Sequence, residues 1–220
     1  MKSHPIIFSS DMIRAILEGR KTQTRRVIEL KDVDPECIWC RGNGHEYQEC
    51  GELSGYDYRY PCRCCMPNNL YGQPGDQLFV KETWAIIKND DDENKVLYRA
   101  DGVIGNAAYG GADFPGNRTY YGPWKSSLFM PRWASRITLE IVNVRVERIQ
   151  EIKYFELESE GISLAQVLEK RGISNITPHM AQSFMRDAYI RLWDSLNAKR
   201  GFGWDTNPWV WVIEFKRIGG

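Results

Sequence analysis

The stretch Ile137-Thr138-Leu139-Glu140-Ile141-Val142-Asn143-Val144-Arg145-Val146 alternates apolar and polar side chains twice, in opposite phases. Ile137, Leu139 and Ile141 share one face of an extended chain, whereas Val142, Val144 and Val146 share the other. A slip of one residue moves every side chain across the sheet, so one long strand carries this pattern only with a β-bulge near Ile141-Val142. A bulge bends its strand and increases the local twist, which suits a curled sheet or barrel.

Working outward, Trp209-Val210-Trp211-Val212-Ile213-Glu214-Phe215 reads as a final strand, with Trp209 and Trp211 on one face and Val210 and Val212 on the other. Gln77-Leu78-Phe79-Val80-Lys81-Glu82-Thr83-Trp84 follows the turn signal Gln73-Pro74-Gly75-Asp76, and Lys95 to Ala100 supplies a partner. Pro5 to Phe8 is a short strand. After Ser9 and Ser10, either of which can cap a helix, Met12, Ile13, Ile16 and Leu17 share a helical face that Gly19 ends. Glu151 to Glu160 is a second helix, ended by Gly161. A longer one runs from Pro178 to Lys199, with Met185, Tyr189, Leu192, Trp193 and Leu196 along one stripe. His179 falls at its N-terminal end. Strands with helices between and after them give an α+β class rather than an alternating parallel sheet. The expectation is one domain over residues 1–220, interrupted by a cysteine-rich insertion at 31–70 and an irregular insertion at 101–127.

Composition narrows the class. At 220 residues, 42% hydrophobic and 26% charged, the chain has the apolar content of a globular protein with its own core. Lys plus Arg total 29 and Asp plus Glu total 29, which excludes a protein that coats duplex DNA by charge alone. Any nucleic-acid contact must come from a local basic patch. No apolar run reaches the ~18 residues of a membrane span, and the N-terminal apolar run is shorter than a signal-peptide core. The reading is a cytoplasmic protein whose cysteines are thiols or metal ligands. Eight tryptophans invite base stacking, but most are expected in the core. There is no Gly-rich phosphate loop, no His-Glu-x-x-His and no serine elbow.

Cys37-Ile38-Trp39-Cys40 and Cys62-Arg63-Cys64-Cys65 give two C-x2-C pairs separated by 21 residues when Cys62 and Cys65 form the second. This approaches zinc-ribbon spacing, with Cys37, Cys40, Cys62 and Cys65 as ligands; Cys64 is an alternative fourth, and Cys50 and His45 are spares. Four thiolates leave no open position on the metal. The Zn2+ is therefore expected to be structural.

Gly19-Arg20-Lys21-Thr22-Gln23-Thr24-Arg25-Arg26 reads as a cationic polar loop leaving the first helix, fit to hold a phosphate or a polar base edge. The sequence Gly19, Lys21, Thr24, Arg26 after a first strand and helix resembles the signature of the ASCH family, of PUA-like fold. Tyr71-Gly72-Gln73-Pro74-Gly75-Asp76, Glu82-Thr83-Trp84, Glu160-Gly161 and Val212-Ile213-Glu214-Phe215 extend the resemblance along most of the chain. The segment from Leu192 to Trp209 is similar to the longer members carried by bacteriophages and prophages.

The resemblance implies a mixed β-barrel with flanking helices that binds RNA or a modified nucleoside in a cleft. Thr24, where many members have Glu, is similar to a bacterial branch that hydrolyses the amide of N4-acetylcytidine. It implies catalytic roles for Lys21, Thr24 and Glu160. A threonine hydroxyl needs a neighbouring base to become a nucleophile, and a lysine serves if its pKa is lowered. Arg20, Arg25 and Arg26 are then the expected cationic neighbours or nucleic-acid contacts, with Arg132 and Trp133 flanking the cleft. Two alternatives stay open: a non-catalytic nucleic-acid-binding module, and a ribonuclease in which Lys21 and Arg26 stabilise a phosphorane while Glu160 moves a proton.

Overall fold

A computed structural model of the chain describes residues 1–29, 69–88, 94–102, 120–121, 123–174 and 176–219. The cysteine module, with Cys37, Cys40, Cys62 and Cys65, lies outside the described residues, as does most of the 101–127 insertion. The elements are β1 (Ser3–Ile7), α1 (Ser10–Leu17), β2 (Gln23–Val27), β3 (Gln77–Lys81), β4 (Trp84–Lys88), β5 (Asn94–Tyr98), β6 (Tyr120–Tyr121), β7 (Thr138–Arg148), α2 (Tyr154–Ser159), α3 (Leu164–Arg171), α4 (Pro178–Asn197) and β8 (Trp209–Gly219). The class is α+β. One sheet has the order β1-β3-β7-β8-β2 and a second the order β5-β4-β6. In the five-stranded sheet β1 and β2 are the two ends, so the described pairings do not close a barrel.

The contacts divide the chain into two compact units, and β7 and β8 each run through both. The first holds Met1–Thr22, Tyr71–Val142 and Phe215–Gly220. In it β1 lies parallel to β3, with Ser3 opposite Gln77, and β3 antiparallel to β7, with Leu78 opposite Leu139. The turn before β3 closes on Asp76, whose carboxylate accepts from the backbone N–H of Lys2 (2.7 Å) and of Gln73 (3.2 Å). A side chain at Gly72 would stand 3.0 Å from that carboxylate, and φ there is +100°, so only glycine fits. In α1 the Ser9 hydroxyl caps the first turn, and Ile13, Ala15 and Ile16 are buried. The strand expected over Gln77–Trp84 breaks at Glu82-Thr83. Trp84 instead opens β4, which pairs with β5. Glu82 is 2% exposed, and burial raises its pKa although Arg136 Nε donates to it at 2.9 Å.

The second unit holds Gln23–Leu70 and Asn143–Glu214. Gln23 to Val27, read from sequence as part of a loop, is strand β2, antiparallel to β8 with Arg25 opposite Val212. Its core gathers Ile149, Ile152, Leu157, Met185, Tyr189, Trp193, Trp204, Val210 and Val212. On the other face of β8, Trp209 packs with Ile28, Val146 and Trp211. The two faces of this strand separate as its alternation dictates. Along β7 the buried positions change phase, from Leu139 and Ile141 to Val146, and the boundary between the units falls inside that change, after Val142.

Candidate functional site

Strand β2 brings a charged side chain into the interior of the second unit. Alternation along an extended chain puts Gln23 and Arg25 on one face of β2 and Thr24 and Arg26 on the other. The Arg25 side chain is 0% exposed. Its Nε donates to Glu147 Oε1 at 2.8 Å, one terminal nitrogen to Glu160 Oε1 at 2.8 Å, and the other to Glu156 Oε2 at 3.0 Å. The planar guanidinium suits this task because its five N–H donors fan out in fixed directions.

The three carboxylates come from two elements, Glu147 from β7 and Glu156 and Glu160 from α2. Arg145 and Glu147 are two apart on β7 and share a face, and Arg145 Nε donates to Glu147 Oε2 at 3.2 Å. Arg145 also pairs with Glu156 and Glu214. Glu156 sits one turn into α2 and accepts from the Lys153 backbone N–H at 2.8 Å, which caps that short helix. Glu160 is the C-cap of the same helix, four residues on and thus on the same side. Gly161, at φ +97°, turns the chain away immediately afterwards.

Burial alone would lower the Arg25 pKa, but the negative charges, Glu160 foremost, hold it above an arginine's ordinary value. Burial likewise drives the Tyr189 phenol well above its usual range, and the Glu160 charge adds to the effect. Within this cluster the arginine stays a cation and the tyrosine stays neutral.

The other expected site residues are placed as follows. Lys21, in the first unit, is 2% exposed; its backbone N–H donates to Ala15 O at 2.9 Å and its ammonium lies 5.6 Å from the Phe8 ring centroid. Gly19, at φ +76°, makes the reversal that starts this connection. Thr24 is 3% and Glu160 4% exposed. Arg20 is partly buried and donates from Nε to Glu18 at 2.8 Å; Arg26 is partly buried as well. Arg132 and Trp133 lie in the first unit on a 3-10 turn, Arg132–Ala134. Arg132 is 5.5 Å over the Phe79 ring, and Trp133, 66% exposed, meets Trp84 edge-on at 5.9 Å. The geometry thus joins Arg25 to Glu160 and leaves Trp133 on the surface.

Sequence reading missed Glu147, Glu156, Arg145 and Tyr189. Their signal was present as Arg145-x-Glu147 on one strand face and Glu156-x-x-x-Glu160 on one helical face.

No family model matches the chain, and no curated protein matches it. Among solved structures it is similar to an ASCH domain from Lactobacillus crispatus JV V101, at 14% identity and a TM-score of 0.35, over 100% of this chain and 81% of that one. A likeness this low carries no conclusion about fold or function.

Proposed function

We propose that the protein binds RNA or a modified nucleoside and hydrolyses an amide such as that of N4-acetylcytidine, through Lys21, Thr24 and Glu160. The observation that supports this reading is that all three are buried, at 2%, 3% and 4% exposure. Lysine and glutamate are almost never fully buried unless partnered, and buried ionisable groups concentrate at functional sites. Side chains held this deep do not act as an open platform for a duplex backbone. They suit a small head group from which water is excluded.

In the proposed reaction Lys21 takes the proton of the Thr24 hydroxyl as Oγ1 attacks the acetyl carbonyl carbon. Oxygen–carbon bond formation is followed by breakage of the carbon–nitrogen bond, and the leaving exocyclic nitrogen takes the proton that Lys21 removed from Thr24. Water then hydrolyses the acetyl ester on Thr24 and releases acetate. Glu160, which Arg25 holds at 2.8 Å on the face of β2 opposite Thr24, acts here as a positioning residue that fixes the strand. Arg20, Arg26, Arg132 and Trp133 are assigned to the nucleic acid, and a structural zinc to Cys37, Cys40, Cys62 and Cys65 on their spacing alone.

Purified protein is incubated with N4-acetylcytidine and, separately, with a short end-labelled RNA, and products are resolved by chromatography. Cytidine and acetate are expected, with at least a 100-fold loss in Lys21→Ala, an order of magnitude typical of removing a general base. Cleavage of the RNA, no change in either substrate, or a reaction that survives Lys21→Ala would overturn the proposal.

A further inference from the structure

The second unit carries a cleft of about 700 Å³ at the far end of β2, and no role assigned above uses it. The backbone N–H of Ile28, in its wall, still pairs with Trp209 O at 2.9 Å, so β2 leads straight into it. Four residues of extended chain separate Thr24 from Ile28, or roughly 13 Å.

Two arginines line this cleft, and each lies against an aromatic ring. The Arg148 guanidinium is 4.2 Å from the Trp209 ring centroid and donates to Asn207 O at 3.0 Å. Stacking and hydrogen bonding together hold it in one orientation. The Arg200 guanidinium is 5.7 Å from the Phe202 ring centroid and pairs with Glu29 in an exposed ion pair. Arg148, Arg200, Phe202, Trp209, Glu29 and Ile28 all line the same space.

The wall is prebuilt. Trp193 Nε1 donates to Phe202 O at 2.8 Å, and Asp194 Oδ1 accepts from the Trp204 backbone N–H at 2.7 Å, which ties the loop to the end of α4. Asn207 sits at φ +44°, alone among the described non-glycine residues in having a positive φ, and its Oδ1 accepts from the Gln150 backbone N–H. Asparagine tolerates this left-handed turn conformation, and these hydrogen bonds fix it in the wall.

The geometry points to this cleft as a binding site for one nucleotide, with its phosphate on Arg148 and Arg200 and its base against Phe202. Planar guanidiniums match phosphate oxygens in paired hydrogen bonds, and an aromatic ring accepts the face of any base. The volume falls within the range of small-ligand clefts. Glu29 pairs with Arg200 at the surface of this cleft. A surface pair of this kind contributes little, so a phosphate displaces it readily.

Binding of cytidine, cytidine 5′-monophosphate and a short single-stranded RNA to the full chain is measured by calorimetry in low salt. The monophosphate is expected to bind at least 10-fold more tightly than cytidine. Arg200→Ala is expected to weaken it about 10-fold, and Glu29→Gln to tighten it several-fold by removing the competing carboxylate. Both side chains are exposed, so both variants fold. If the RNA binds through the same cleft, the two variants shift its affinity in the same directions; if only the monophosphate responds, the ligand is a free nucleotide. Equal affinity for cytidine and its monophosphate, or a monophosphate affinity indifferent to both substitutions, overturns the inference. In a Lys21→Ala background the responses of monophosphate affinity to Arg200→Ala and Glu29→Gln should be unchanged, which separates this cleft from the proposed hydrolysis.

Discussion

Arg25 faces Glu147, Glu156 and Glu160 with its side chain wholly out of water. An ion pair buried in this way is weak evidence for added stability, since desolvation offsets much of the attraction, but removing one member strands the others. Arg25→Ala is therefore expected to destabilise the protein by about 3–5 kcal/mol, checked by urea unfolding, with Arg145 remaining as a partial counter-charge. Trimming a surface arginine of similar size should cost less than about 0.5 kcal/mol. The sequence showed Arg25 as one member of a basic run. It could not show that the residue turns inward, because three glutamates more than 120 positions away decide that.

The turn that leads into β3 supplies a second test, at the scale of an element. Asp76 accepts from the backbone of Lys2 and of Gln73, and these bonds, Lys2 first, hold its pKa below the usual carboxylate value. A depressed folded-state pKa stabilises the fold above the unfolded value of about 3.9 and loses that contribution as pH falls through the folded value. The melting temperature should therefore drop on acidification below about pH 4, and less steeply in Asp76→Asn, which keeps a carbonyl acceptor but does not titrate. Melting curves from pH 6 to 2 check this; parallel acid limbs for the two proteins would count against it. Elements with clean periodicity were readable from sequence: α1 with its Ser9 cap, α4 behind Pro178, and the two faces of β8. Strand β2 was not, because Gln-Thr-Arg-Arg carries neither β-branched alternation nor an apolar face, and only pairing with β8 makes it extended. Helix α3 escaped notice for a related reason: none of its residues is fully buried, so its apolar stripe is faint.

For the molecule as a whole, equal numbers of acidic and basic residues mean that specific clefts, rather than a general field, must draw in any polyanion. The cysteine pairs add a separate expectation, because four thiolates at ribbon spacing should hold one zinc per chain. Atomic absorption on protein purified without chelator checks it; a value near zero would remove the metal from the proposal.

The pairing of β2 with β8 joins residues from opposite ends of the sequence, Gln23 with Glu214. A loop of nearly the whole chain has to close before that ladder can form, so its entropy cost falls early and its reward late. Local structure such as α4 can form long before this. The Arg25 cluster rides on β2, so its charges cannot leave water until that long loop has closed.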